Sequence, residues 1–174
     1  MGSERAVSQQ WFIGESHHKV DTKGRVSIPA AFRKVLAAGD PDFSEGANPQ
    51  VVVVYGDARR DYLECMTIKA MNKIQRKILK MPPASPQRRA LQKMYSTQAL
   101  VTSVDETGRL VLPAKLRNKI GIDSEAVFAG TGENFQIWST ETYELENGLV
   151  TGGDDFDPDL DPSHYLFGDD EDED

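Results

Sequence analysis

The sequence predicts an α+β, β-rich fold: two tandem β half-domains, a helical connector between them and an acidic disordered tail. Three observations lead there. A 17-residue segment recurs 84 positions downstream. Both copies set turn residues between short runs suited to strands. The stretch between the copies switches to apolar residues at helical spacing. The corresponding division is 11–66 and 99–146 for the two halves, 67–98 for the connector and 147–174 for the tail.

Residues 20–36 (VDTKGRVSIPAAFRKVL) return as residues 104–120 (VDETGRLVLPAKLRNKI), with seven of 17 positions identical. Each copy opens on a strand, 16–20 or 99–104. A hairpin connection follows at 21–24 or 105–108, where Asp can bond the turn's own backbone and Gly supplies a positive φ. In the return strand at 25–28, Val26 and Ile28 fall on one face and Arg25 and Ser27 on the other. Pro29 and Pro113 suit the first turn of a helix. That helix buries Phe32 and Leu36, or Leu116 and Ile120, shows Arg33 or Arg117 to solvent, and stops at Gly39 or Gly121. A second strand pair closes each half, 51–55 with 62–66 and 126–129 with 134–138. Residues 40–50, rich in Asp, Gly and Pro, read as a loop inserted in the first copy alone.

In the connector, Ile68, Met71, Ile74, Ile78 and Met81 recur at helical spacing among lysines and arginines. Pro82 and Pro83 break this helix, and Ser85-Pro86 is a cap and first-turn pair for a second helix carrying Leu91 and Met94.

The formal charge of −8 conceals a segregation. Residues 151–174 carry 11 acidic groups and no Lys or Arg, which leaves 20 basic against 17 acidic residues, or +3, on the body. Residues 66–104 hold eight basic groups and no acidic one. A mildly basic body with an acidic tail is compatible with nucleic acid. No apolar run approaches the ~20 residues of a membrane span, and the polar first ten residues lack the apolar core of a secretory signal. Cys65 is the only cysteine, so a disulfide or cysteine zinc cage within the chain is not expected.

The repeated Asp-x-x-Gly-Arg unit sets an arginine just after a tight turn. Its planar fork can bond two acceptors at once, whether phosphate oxygens or a guanine edge. An Asp–Arg pair that merely stabilises the turn explains the same residues. Taken together, Gly14-Glu15 with residues 20–33, and residues 104–114 with Phe135-Gln136-Ile137-Trp138, resemble the two repeats of the MraZ family over about residues 11–145. The resemblance implies tandem AbrB-like swapped-hairpin β-barrel halves and a ring-shaped homo-oligomer. It also implies binding to short direct repeats in double-stranded DNA upstream of the division and cell-wall gene cluster. The family's DNA-contacting motif falls on Asp21 and Arg25 and on Asp105 and Arg109. Lys23 adds a phosphate contact in the first copy, where the second has Thr107. Arg33 and Arg117 complete the DNA-binding candidates. A cytoplasmic, nucleoid-associated transcriptional regulator follows, with no cofactor, no membrane partner and no small-molecule substrate.

Other features carry less. The connector's basic residues read either as a second DNA patch or as the solvated face of an amphipathic helix. His17 and His18 are adjacent on a strand and point to opposite faces, so they are poor co-ligands of a metal. No phosphate-binding glycine loop, serine elbow, metal triad or dinucleotide fingerprint is present, so an enzyme is not expected. A protein-binding role on the same fold is the competing reading. Val111, apolar where the first copy has Ser27, suggests a subunit contact at that face.

Overall fold

A computed structural model describes residues 10–147 and 156–167. The chain runs β1 (Glu15–Lys19), β2 (Arg25–Ser27), α1 (Ala30–Ala38), β3 (Gln50–Val54), β4 (Leu63–Met66), α2 (Ile68–Leu79) and α3 (Pro86–Gln92). The last helix continues into a π-helical turn, Lys93–Thr97. Then come β5 (Ala99–Ser103), β6 (Arg109–Val111), α4 (Ala114–Ile120), β7 (Glu125–Gly130), β8 (Phe135–Ser139) and α5 (Thr140–Asn147).

Local chemistry accounts for the helix ends. Ser85 Oγ accepts from Arg88 N with Pro86 at the first helical position, as the Ser-Pro pair predicts. Thr67 caps α2 in the same way, through Ala70 N. Gly39 and Gly121 sit at the C-caps of α1 and α4, and Gly121 does so in the left-handed conformation at φ 71°. In the 40–50 loop the buried Asp40 carboxylate accepts from Asp42 N and Gln50 N, tying both ends of the insertion to one side chain.

The closing hairpins pair within their own copies, β3 with β4 and β7 with β8, but the strands on either side of each repeated turn do not pair with each other. A six-stranded antiparallel sheet runs β1-β7-β8-β4-β3-β5, and β2 pairs with β6 in a separate two-stranded ribbon. The first strand of each copy therefore lies against the closing hairpin of the other copy. This corrects the hairpin expected at 21–24 and at 105–108. The turns form, with Gly24 N donating to Asp21 O and Gly108 N to Asp105 O, but no ladder continues between the strands on either side. The reason lies in the apolar residues. Val26 and Leu110 are opposite each other in the ribbon and both buried, so each copy supplies cover that the other lacks. Hydrogen bonding leaves β1 and β5 as sheet edges and does not close the sheet into the expected barrel.

One main core results. It joins Val26, Ile28, Phe32 and Leu36 of the first copy to Leu110, Leu112, Leu116 and Ile120 of the second. At its centre Phe12, Phe32, Phe128 and Phe135 pack ring against ring at 4.9–5.8 Å. The run Val51–Val54 is buried throughout because β3 is covered on both faces. Val51 and Val53 enter the main core, and Val52 and Val54 meet Met66 and Met71 beneath α2. The helical spacing in the connector is borne out, with Met71 and Ile78 buried.

Within the acidic tail, residues 156–167 hold a short 3-10 helix, Pro162–Phe167, with Phe156 and Tyr165 in ring contact and the Tyr165 hydroxyl accepting from Asp157 N. Tail residues 148–155 and 168–174, and the first nine residues, lie outside the described residues. The expectation of a structureless tail is thus corrected over this one turn, where two aromatic residues close on each other.

The ribbon register gives a stability prediction. Leu110→Ala, at a fully buried inward position, should cost about 2–5 kcal/mol, whereas Val111→Ala, one residue on and exposed, should stay within about 0.5 kcal/mol. Chemical denaturation at fixed protein concentration measures both. Equal costs would mean that the register is wrong.

Candidate nucleic-acid interface

The two Asp-x-x-Gly-Arg turns are built alike. Asp21 Oδ1 accepts from the backbone N–H groups of Lys23 and Arg25 at 3.0 and 2.9 Å, and Oδ2 accepts from Arg25 Nε at 2.6 Å. Asp105 Oδ1 accepts from Thr107 N and Arg109 N, both at 2.9 Å, and from Thr107 Oγ1 at 2.8 Å. Its Oδ2 accepts from Arg109 Nε at 3.1 Å. Gly24 and Gly108 have φ of 85° and 78°, which the turn requires and a side chain would strain.

These bonds fix the charge state of the clamp. Both carboxyls are held below the ordinary carboxylate range, chiefly by the backbone N–H of the arginine four residues on, and Asp105 falls to about 2. A depressed acid stabilises the fold above its unfolded pKa. That contribution is constant at neutral pH and is lost only as the pH falls through the folded value, about 2 for Asp105. Each carboxylate is thus a permanently charged bracket for its arginine. The acids complete the turn from within, and their charge is spent on the neighbouring guanidinium.

The ribbon brings the two arginines together. Arg25 lies opposite Val111 and Arg109 opposite Ser27, on the outward face on either side of the buried Val26–Leu110 pair. Arg25 and Arg109 are diagonal neighbours, about 7–8 Å apart by strand geometry. Both side chains are 37% exposed. Each uses Nε on its aspartate, and among the described residues no bond engages its terminal amino groups. The ion pair stabilises the turn and at the same time leaves the arginine's terminal amino groups facing outward.

The turn tips differ. Thr22 and Lys23 are exposed in the first copy, Glu106 and Thr107 in the second. The first tip carries a cation that can meet phosphate, and the second an acid that the sequence reading passed over.

Two expected positions are corrected. Arg33 and Arg117 do not face solvent from their helices; both are half-buried. Arg117 Nε donates to Leu112 O at 2.9 Å and lies against Gly24, and the Arg33 guanidinium lies against Gly108. Each helix packs its arginine on the turn of the other copy. A helical-wheel reading of one helix has no access to that neighbour. The only sequence signal is the recurrence of this Arg, in both copies, nine positions after the turn glycine.

The remaining candidates lie elsewhere. Lys69, Lys73 and Arg76 of α2 border a groove of about 340 Å³ with Trp11, Val35 and Thr67. His18 Nε2 bonds Ser16 Oγ at 2.7 Å, and His17 lies 3.6 Å from Glu125. Cys65 is fully buried, and desolvation pushes its thiol pKa up, which suits a core residue and not a nucleophile.

The family model described as "MraZ protein, putative antitoxin-like" matches residues 97–145, the second copy. Similarity to curated proteins extends much further. The chain is 53% identical over 159 residues to a protein named transcriptional regulator MraZ of Ruegeria pomeroyi, covering 90% of this chain and 95% of that one. It is 54% identical over 153 residues to the protein of that name in Ruegeria sp. strain TM1040, covering 84% and 92%. The likeness persists at 34% identity over 143 residues in Nitrosomonas europaea, covering 80% and 88%. With identity at this level running through both copies and the connector, the chain belongs to the MraZ family.

Proposed function

We propose that this protein is a DNA-binding transcriptional regulator that reads duplex DNA with the β2–β6 ribbon. The observation that carries the reading is the pair of clamped arginines on one outward ribbon face, with terminal amino groups available. The major groove of B-DNA admits a two-stranded β-ribbon, and a bidentate arginine there meets guanine O6 and N7. Val111, beside Arg25, offers an apolar contact to a thymine methyl, a use that replaces the subunit contact expected from sequence. Lys23 at the first tip meets phosphate. The relatives' shared name, transcriptional regulator MraZ, supports the same reading. Among the described residues no helix is long and apolar enough to cross a membrane. A protein that works on chromosomal DNA acts in the cytoplasm at the nucleoid, as a binder and not as an enzyme.

The reading includes assembly. Two motif arginines and a body charge of +3 make a weak single contact. Linking copies in fixed geometry makes later contacts intramolecular and multiplies affinity by roughly 10²–10⁴. The two tandem AbrB-like half-domains, exchanging strands as swapped hairpins, form the unit of a closed homo-oligomeric ring. DNA then carries short direct repeats about 10–10.5 base pairs apart, so that each faces the protein. In this reading the repeats lie upstream of the division and cell-wall gene cluster, as the family resemblance implies.

Three measurements test this. Selection of bound duplexes from a random pool should return direct repeats, with Arg25→Ala and Arg109→Ala each weakening the selected site by about 1–3 kcal/mol. Unchanged affinity in the double variant would reject the ribbon as the reading surface. Light scattering should give a closed species larger than a dimer; a monomer at working concentration, or a selected site that is a single inverted repeat, would reject the ring. Deleting residues 151–174 should raise non-specific DNA affinity at low salt, because 11 carboxylates no longer compete for the basic face. Identical binding with and without the tail would limit it to solubility.

A further inference from the structure

Each helix arginine occupies space that a side chain at the opposite turn glycine would need. A Cβ at Gly108 would collide with Arg33 Nη1 and stand 2.7 Å from its Cζ. A Cβ at Gly24 would collide with the Leu112 carbonyl oxygen and stand 3.1 Å from Arg117 Nε. The same glycines also bond across the ribbon's ends. Ile28 N donates to Gly108 O at 2.9 Å and Leu112 N to Gly24 O at 2.8 Å. Leu112 is thus held at both polar groups, its N–H by Gly24 and its carbonyl by Arg117 Nε. Arg33 Nε is buried and bonded to nothing among the described residues, so it is wedged by shape and has no path to a phosphate through that atom. Gly24 and Gly108 each immediately precede the outward arginine of their turn, Arg25 and Arg109.

From these contacts we infer that Arg33 and Arg117 are positioning residues that act across the repeat, and not DNA contacts. Arg33 of the first copy seats the turn that aims Arg109, and Arg117 of the second copy seats the turn that aims Arg25. The glycines admit the guanidinium planes, the planes limit how far each turn can tip, and the Asp clamps carry that orientation to the outward arginines. Arginine suits this because its flat, rigid head can lie on a bare Cα, whereas the compact lysine ammonium cannot cover it. Each half then depends on the other for the geometry of its own DNA-facing residue.

The inference rests on the ribbon being the DNA-reading surface, and the test separates the two. Backbone amide exchange is measured on the full chain for Arg33→Met, Arg33→Lys, Arg117→Met and Arg117→Lys. Changes at Arg33 should accelerate exchange at residues 105–109 about tenfold and leave 21–25 unaltered; changes at Arg117 should do the reverse. The lysine variants are the milder pair and keep the experiment open should a methionine variant fail to fold. Affinity for the selected duplex should fall about tenfold in all four. The slope of log affinity against log salt should stay at the wild-type value, since no phosphate contact is lost. A phosphate contact would instead reduce that slope by about 0.9, with lysine restoring it. Loosening confined to the mutated copy, no loosening at all, or a reduced salt slope would overturn the inference. Wild-type protein that binds no duplex would overturn the DNA reading and leave the exchange result standing alone.

Discussion

The outward ribbon surface depends on the antiparallel pairing of two three-residue strands, one from each copy. A strand that short cannot hold its own position in water, and each copy offers only one apolar side chain at its centre. Val26 opposite Leu110 supplies a buried pair that neither copy has alone. Once they pair, the alternation of the backbone leaves no choice about what faces out: Arg25, Ser27, Arg109 and Val111. The surface chemistry is thus a by-product of core burial. A slip of one strand by one residue would bury its arginine and expose its central core residue, so the register is enforced by the least negotiable term in the fold.

The exchange of strands serves the same end. Each copy's first strand adds to the other copy's closing hairpin, and the helices after the ribbon pack into a single core with four phenylalanines at its centre. The halves cannot separate without opening β1 from β7, β4 from β8, β5 from β3, and β2 from β6 together. The connector is anchored by the doubly covered β3 strand, whose outer valines seat α2. Loose tethering of two domains is incompatible with this arrangement.

What was legible in the sequence was local. The two turns, the inward and outward residues of β2, the Ser85 and glycine caps, and the helical connector all follow from residues within a few positions of one another. The outward arginines were legible for the same reason: Asp and Gly at fixed offsets define the turn that presents them. Strand partnership was not, because the choice between pairing β1 with β2 and pairing β1 with β7 rests on contacts more than a hundred residues apart. The fate of Arg33 and Arg117 was hidden with it. On a wheel of their own helices they are polar residues beside an apolar stripe, and only the opposite copy's turn half-buries them. The tail shows the complementary limit. Its composition opposes a packed core, yet Phe156 and Tyr165 are spaced to close one turn on themselves.

The unlike turn tips have a consequence for symmetry. An identical pair of repeats would give the ribbon a near-perfect dyad, and turning it by half a revolution would change nothing. Lys23 at one end and Glu106 at the other abolish that equivalence. Two separate copies of one short chain could never do so, because any substitution would appear at both ends. Fusion in a single chain frees the ends to diverge while the shared interior holds their geometry. The outward face thereby acquires a head and a tail, and with them a sense of direction along whatever linear molecule it meets.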